Sequence, residues 1–151
     1  MQVGLEIIRL HRDPATSERL RSGKFRINQE LNDEWLDIQN QGPYVLNLQG
    51  RILACMERSG TRLAPQAWRC LRKAVIRSNA VIPLDPGLVI RIYTGEQPAR
   101  ATRIQESRIS RVLWLVQPTY LWVPEGHEAH LYFSQQDLNQ GKPPLARCVY
   151  R

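Results

Sequence analysis

Apolar and polar residues alternate along several short stretches of the chain, and turn-forming residues separate these stretches. The alternation is clearest at 88–93, where Ile90 and Ile92 fall on one face and Arg91 falls on the other. Successive side chains of a strand point to opposite faces, so we expect the isoleucines to face a core and Arg91 to face solvent. Many short strands between turns that contain Gly and Pro are typical of an all-β sandwich or barrel.

The predicted strands are spread over the whole chain. They lie at 3–10, 35–40, 46–48, 51–56, 88–93, 111–115, 129–133 and 146–150. A chain of 151 residues fits one domain, and a domain of about this size buries roughly 68–70% of the surface that its unfolded chain exposes. We therefore expect a single domain, 1–151, whose core needs neither a disulfide nor a metal.

The segment at about 57–76 departs from this alternation and looks like an insertion. Its apolar residues recur at helical spacing: Ala64, Ala67, Trp68, Leu71 and Val75. Its basic residues fall on the other side: Arg62, Arg69, Lys73 and Arg77. Pro65 suits the first turn of a helix, so the pattern predicts one short amphipathic helix in this insertion. An ordinary connection with a solvated basic face is the alternative.

Three carboxylates lie close together in the sequence, at Asp33, Glu34 and Asp37. Alternation places Asp37 on the opposite face of its predicted strand from Leu36 and Ile38. Carboxylates that act as a catalytic acid and base need surroundings that push their pKa values apart, which a solvated strand face does not supply. We therefore interpret these carboxylates as surface residues of a turn and a strand edge. Their spacing also differs from that of a calcium-binding loop.

The composition adds charge to this picture. The net charge is +7, and the sequence has eighteen arginines against three lysines. Arginine binds phosphate and carboxylate groups through a planar fork, so an arginine-rich surface suits an anionic partner. A biased genome or a warm habitat would explain the same composition. A mean hydropathy of −0.41, with no apolar run long enough to span a membrane and no secretory signal, predicts a cytoplasmic protein without a membrane span.

The basic residues form two groups along the chain, and these are the candidate binding residues. The first group is Arg62, Arg69, Arg72, Lys73 and Arg77, and the second is Arg100, Arg103, Arg108 and Arg111. If the groups converge, their surface would bind phosphate backbones with little base specificity. The four tryptophans are able to stack on bases, although we interpret them as packing residues, Trp114 above all. No helix-turn-helix or zinc-finger motif is present.

The residues that support metal binding or catalysis are few. His127 and His130 are three positions apart and would face opposite sides of a strand, so we predict surface histidines and no metal site. Cys55, Cys70 and Cys148 are widely spaced, which indicates reduced thiols. A Cys-His-Asp triad assembled in space stays open as an alternative, although no local catalytic motif supports one. We expect no cofactor.

Four short elements, in order, resemble the lamin tail domain. They are NDEWLDIQNQG at 32–42, VLNLQGRIL at 45–53, IPLDPGLVIRIYTG at 82–95 and WVPEGHEAHL at 122–131. The chain departs from the family pattern at three positions, where Arg51 replaces the usual tryptophan, Val123 an asparagine and His127 an aspartate. The resemblance covers about 3–150 apart from the basic insertion.

This resemblance implies an immunoglobulin-like antiparallel β-sandwich without a catalytic centre. In lamins the domain binds chromatin, DNA and membrane-associated proteins, so the implied function is a non-enzymatic module that binds a protein or a polyanion such as nucleic acid through arginine-rich loops. Two alternatives stay open. One is a small hydrolase or nuclease with an unrecognised site, and the other is a structural protein that self-associates through an edge strand. The sequence leaves the oligomeric state undetermined.

Overall fold

The protein is seen in a computed structural model that describes residues 4–11, 34–58, 67–97, 108–118, 120–122 and 127–149. Within these ranges the elements are, in chain order, β1 Leu5–His11, β2 Trp35–Asn40, β3 Leu46–Asn47, β4 Ile52–Arg58, β5 Trp68–Val75, β6 Pro83–Leu84, β7 Val89–Tyr93, β8 Ile109–Trp114, β9 Glu128–Tyr132, α1 Gln135–Asn139 and β10 Ala146–Val149. No helix in the described ranges has the length and apolar character needed to cross a bilayer.

The strands form two four-stranded sheets and a short ribbon. The first sheet has the order β1-β2-β7-β8, the second sheet has the order β10-β9-β4-β5, and β3 pairs with β6 in the ribbon. This arrangement confirms the predicted all-β sandwich. Pairing is antiparallel throughout except between β7 and β8, which run parallel. Parallel neighbours need a connection of a dozen or more residues, and the segment 94–108 supplies it.

The main core lies between the two sheets. Leu36 and Ile38 of β2 and Ile92 of β7 pack in one cluster with Leu53 of β4 and Leu131 of β9. All are almost completely buried. The inward faces predicted from alternation for β2 and β7 are therefore correct, because a strand with one face on a core must place every second residue there.

A second, smaller hydrophobic cluster lies on the outer face of the second sheet. Its buried members are Ile52, Ala54, Met56 and Tyr132. Leu138 of α1 packs against them, and Ser134 caps the helix by accepting a hydrogen bond from the backbone amide of Asp137 at 3.2 Å. The second sheet is thus covered on both faces, which explains why β4 is an unbroken apolar run from Ile52 to Met56.

The helix predicted in the insertion is wrong, because Trp68–Val75 forms edge strand β5 paired with β4. The pairing register shifts between Cys55 and Met56, which leaves Leu71 as the extra residue of a bulge. Trp68, Cys70 and Val75 pack on the outer cluster, whereas Leu71 and Ala74 pack on the main core. A strand with apolar contacts on both faces and a bulge in its register loses its period of two, and here its apolar spacing imitates a helix.

Candidate macromolecule-binding surfaces

Five of the predicted binding residues lie on or beside the edge strands of the two sheets. Arg69, Arg72 and Lys73 belong to β5, Arg111 belongs to β8, and Arg108 immediately precedes β8. Neither strand contains an aspartate or a glutamate. Arg77 is exposed beyond the end of β5. The remaining predictions, Arg62, Arg100 and Arg103, lie outside the described residues.

The two basic edges are the sheet edges away from the contact between β1 and β10. Each sheet has two edge strands, and β1 of the first sheet contacts β10 of the second. The remaining edges are β8 of the first sheet and β5 of the second. We call these two edges, with Arg69, Arg72, Lys73, Arg108 and Arg111, the basic side.

Strand register decides which way the basic residues project. Arg72 pairs with Cys55 and Arg111 pairs with Ile90, and both partners belong to the main core. Since paired residues share a face, both arginines lie on the inward faces of their edge strands, at the rim of the gap between the sheets. Lys73 pairs with Ala54 and lies on the outer face of the second sheet.

Two of these arginines make internal contacts. The Arg72 guanidinium donates a hydrogen bond to the backbone carbonyl of Tyr120, which ties β5 to the segment that precedes β9. Arg69 forms an ion pair with Glu57 of the neighbouring strand, and the Arg69 side chain remains 65% exposed. Surface ion pairs of this kind contribute little to stability. The pair reduces the net charge at that end of β5, so Lys73 and Arg111 are the residues on which a binding test should concentrate.

The buried Asp37–Arg91 pair corrects the prediction that both residues face solvent. Arg91 donates from Nε to Oδ1 of Asp37 at 2.8 Å and from its terminal amine to Oδ2 at 3.0 Å. Both residues are buried on the outer face of the first sheet, and the Arg91 guanidinium lies 3.6 Å from the ring centroid of Trp35. Alternation assigned the face correctly. The predicted solvent exposure of Asp37 and Arg91 was wrong, because the paired charges satisfy each other and an aromatic ring covers them.

Glu34 is also buried, whereas the sequence predicted a surface carboxylate. Its side chain accepts hydrogen bonds from Thr94 Oγ1 at 2.7 Å and from the backbone amides of Leu121 and Trp122 at 2.6 and 3.0 Å. A carboxylate with three donors can remain in a dry interior. Glu34 therefore anchors the 120–122 segment beside the start of β2. Asp33 lies outside the described residues.

A row of aromatic rings crosses the outer face of the first sheet. His11 pairs in register with Trp35, Trp35 with Tyr93, and Tyr93 with Trp114, so each of the four strands contributes one ring. His11 stacks on Trp35 with centroids 5.0 Å apart, and Tyr93 stacks on Trp114 with centroids 6.2 Å apart. We call these four residues the aromatic row. Trp114, interpreted from the sequence as a packing residue, is half-buried and packs on Tyr93 at this outer face rather than in the main core.

Arginines accompany the aromatic row. Besides Arg91, the Arg9 guanidinium lies 5.0 Å from the Trp35 ring centroid. An arginine over an aromatic face is held by cation–π attraction. Sequence reasoning missed this surface, because the four rings lie far apart along the chain and become neighbours only through strand register. The available signal was one aromatic or histidine residue at the end of each of several strands.

A second polar constellation lies on the outer face of the second sheet. Nε2 of His130 is 3.1 Å from Oε1 of Glu128, and Nδ1 of His130 is 3.0 Å from the Tyr132 hydroxyl. Trp68 meets the imidazole edge-on at 4.8 Å. His130 is completely buried, so the predicted surface histidine is wrong here. Burial lowers the pKa of His130 although Glu128 opposes the shift, and burial together with Cys70 and Glu128 raises the pKa of Tyr132 to about 12.

This chain of carboxylate, imidazole and phenol resembles part of a catalytic triad in its connectivity. A triad also requires an accessible nucleophile next to the imidazole. Cys70 packs on the same cluster, and burial raises the pKa of its thiol, which disfavours the reactive thiolate. The hydrogen bonds therefore satisfy buried polar groups in a packed surface. In the described part of the chain, no group of three or more His, Cys, Asp and Glu residues is placed to hold a metal ion.

Two open grooves, of about 360 and 520 Å³, lie between β1 and β10. They are on the opposite side of the sandwich from the basic side. Their lining is mostly backbone and apolar side chains such as Leu5 and Leu145, and the charged lining residues are Glu6 and Arg147. One negative and one positive charge give these grooves no preference for an anion.

Comparison with known proteins leaves the family open. No model of a known protein family matches the chain, and a search of curated proteins finds no match either.

Proposed function

We propose that this protein is a non-enzymatic binding module for a polyanionic macromolecule, nucleic acid in the first place, and that it binds through the basic side. The observation that carries the proposal is the placement of Arg69, Arg72, Lys73, Arg108 and Arg111 on or beside β5 and β8, the two edge strands away from the β1–β10 contact. Because β5 and β8 contain no carboxylate, positive charge accumulates along both edges.

The physical argument rests on charge and rigidity. Lysine and arginine bind phosphates in a duplex or a single strand by displacing condensed counterions, and this term needs no base-specific contact. Residues on paired strands keep their backbone spacing, so binding has to order their side chains but no loop. The opposite side differs in charge because carboxylates accompany its arginines: β1 carries Glu6 as well as Arg9, and Arg147 of β10 lies 3.8 Å from Glu128. A polyanion should therefore prefer the β5–β8 side.

The resemblance to the lamin tail domain supports the same proposal. That family binds DNA, chromatin and proteins without a catalytic centre, and the four elements that carry the resemblance include β2 and β7 of the first sheet. A protein partner with an acidic surface would use the same residues. Nucleic acid is the hypothesis that can be tested more precisely, because its regularly spaced phosphates predict how binding should weaken as salt rises.

The test is a fluorescence anisotropy titration with a labelled duplex and a labelled single strand at several salt concentrations. The variant is Lys73→Gln/Arg111→Gln, because both residues are exposed and neither forms an ion pair within the described residues. We expect weaker binding and a logarithmic salt slope smaller by about one for each lost phosphate contact. The matched control is Lys142→Gln/Arg147→Gln, which removes the same charge away from the basic side.

Equal weakening in both double variants would show that net charge alone governs binding and would remove the basic side from the proposal. If the unmodified protein binds neither duplex, single strand nor heparin at about 50 mM salt, where phosphate contacts are strongest, the whole proposal is wrong.

A further inference from the structure

The aromatic row ends at the basic side. Its last ring, Trp114, belongs to β8, which is the edge strand of the first sheet. Among the described residues the ring that stacks with Trp114 is Tyr93 of β7, whose plane is tilted 18° from its own. In the same part of the chain β8 pairs with β7 and with no other strand. Trp114 is half-buried and lies on the outermost strand of its sheet.

Trp114 and the basic residues share a strand. Arg111 lies three residues before Trp114, which on an extended strand is about 10 Å, and Arg108 lies further along the same line. An odd separation places Arg111 and Trp114 on opposite faces of the strand. A chain that runs along the β8 edge would meet charge on one face and an aromatic ring on the other. This alternation of cation and ring suits a polymer that itself carries phosphates and flat groups.

We propose that Trp114 stacks on a base of single-stranded nucleic acid whose backbone is held along β8 by the basic side. This inference rests on the proposed function, since the basic side supplies the phosphate contacts. The base would extend the existing stack by one ring beyond the Tyr93–Trp114 pair. Base–aromatic stacking tolerates any sequence because every base has a π face, and it is a common device in proteins that bind single strands.

Two features favour a base over other flat ligands. The net charge of +7, Arg111 of β8 and Arg108 before it attract a phosphate backbone, and a neutral sugar polymer would gain nothing from them. A duplex keeps its bases stacked on one another and would touch only the basic residues. The inference thus predicts a preference for single strands that the basic side alone does not create.

The experiment compares Trp114→Leu with Trp114→Phe on a labelled single strand and a labelled duplex. Loss of one base stack should weaken single-strand binding about tenfold in Trp114→Leu, within a range of roughly 5- to 150-fold. Trp114→Phe keeps a ring and should lose much less, and duplex binding should change less than about twofold in either. Trp122→Phe, at a buried residue of the main core, is the matched control. Thermal melts establish that each variant is folded.

A fluorescence measurement covers the case in which Trp114→Leu fails to fold. Stacking on a base quenches tryptophan emission, so adding an unlabelled single strand should quench the unmodified protein. The quench should be largely lost in Trp114→Phe, which remains able to bind, and should persist in Trp122→Phe.

The outcomes separate this inference from the proposed function. Binding of both nucleic acids with no effect of Trp114→Leu and no loss of quenching in Trp114→Phe would overturn the stacking site and leave the basic side standing. Absence of all binding, heparin included, would remove both. Stronger quenching by a neutral oligosaccharide than by a single strand would show that Trp114 binds a sugar, and would overturn the assignment to a base.

Discussion

The outer faces of the two sheets are covered by different kinds of residues. The second sheet covers its outer face with apolar packing, in which Met56 and Tyr132 pack beneath Leu138 of α1. Within the described residues no helix covers the first sheet. Its outer face carries the aromatic row and the Asp37–Arg91 pair. Apolar packing covers the outer face of the second sheet, whereas aromatic rings and a buried ion pair lie on the outer face of the first sheet.

The difference shows where function can reside on such a scaffold. A face closed by a helix has no room for a ligand, and its hydrogen-bonded chain from Glu128 through His130 to Tyr132 serves to satisfy buried polar atoms. A face of stacked rings beside arginines retains π surface and positive charge at its edge. The second sheet therefore has apolar cover on its outer face, and the proposed binding function would fall to the basic side and the adjoining first sheet.

The largest expected effect tests the charged pair of the first sheet. Arg91→Met should lower the free energy of unfolding by about 3–5 kcal/mol, because it leaves Asp37 buried without its partner. Denaturant unfolding measures the loss. In Asp37→Leu/Arg91→Met the uncompensated charge is gone, so the double variant should be more stable than Arg91→Met alone. If both variants are equally destabilised, the pair's packing on Trp35, and not its charge, holds this face.

The next effect belongs to the second sheet and depends on pH. The pKa of Tyr132 is raised to about 12 from an ordinary value of 10.0, so the unfolded chain loses this proton first. The stabilisation is complete below about pH 10 and is lost as pH rises towards 12, amounting to about 2–3 kcal/mol for a shift of this size. Urea unfolding between pH 9 and about 12 should show this loss, and Tyr132→Phe should flatten it.

Tyr44→Phe is the control for that experiment, since Tyr44 is 75% exposed. Its unfolding should follow the unmodified protein at every pH. A Tyr132→Phe variant that loses stability on the alkaline side as steeply as the unmodified protein would show that the hydroxyl is not buried by the outer cluster.

The sequence was sufficient to predict the strands whose two faces differ. In β2 and β7 one face meets the core, so alternation identified Leu36, Ile38, Ile90 and Ile92 correctly as inward residues. It failed in β5, where both faces are covered and the bulge at Leu71 breaks the period. Period-two reasoning works only while apolar and polar residues alternate, and an edge strand with apolar residues on both faces does not meet that condition.

The candidate site was predictable in its charges and not in its geometry. The basic residues of β5 and β8 were identified from composition. The strand order is what places both strands at the basic side, and it includes a parallel β7–β8 pair that no local sequence pattern predicts. The aromatic row required the register of three strand pairings. Asp37 and Arg91 were placed on the right face, and their burial depended on the cross-strand partner, which a single strand does not reveal.

The smallest expected effect concerns the cover of the second sheet. Ser134→Ala removes the N-cap of α1 and should lower the free energy of unfolding by about 1 kcal/mol, whereas Ser134→Asp restores an acceptor for the Asp137 amide and should lose little. Urea unfolding at neutral pH measures both.

Loss of the N-cap should also change the titration of Tyr132, and this local effect is easier to detect than a small change in the free energy of unfolding. Leu138 of α1 packs on the cluster that contains Tyr132, and burial is the largest cause of the raised pKa of Tyr132. If α1 loosens without its cap, water reaches the phenol and the pKa should fall towards its ordinary value. Tyrosinate absorbance during an alkaline titration should then show one tyrosine titrating at lower pH in Ser134→Ala than in Ser134→Asp. An unchanged titration would mean that α1 is not the cover of this face, and the contrast between the two sheets would rest on the strands alone.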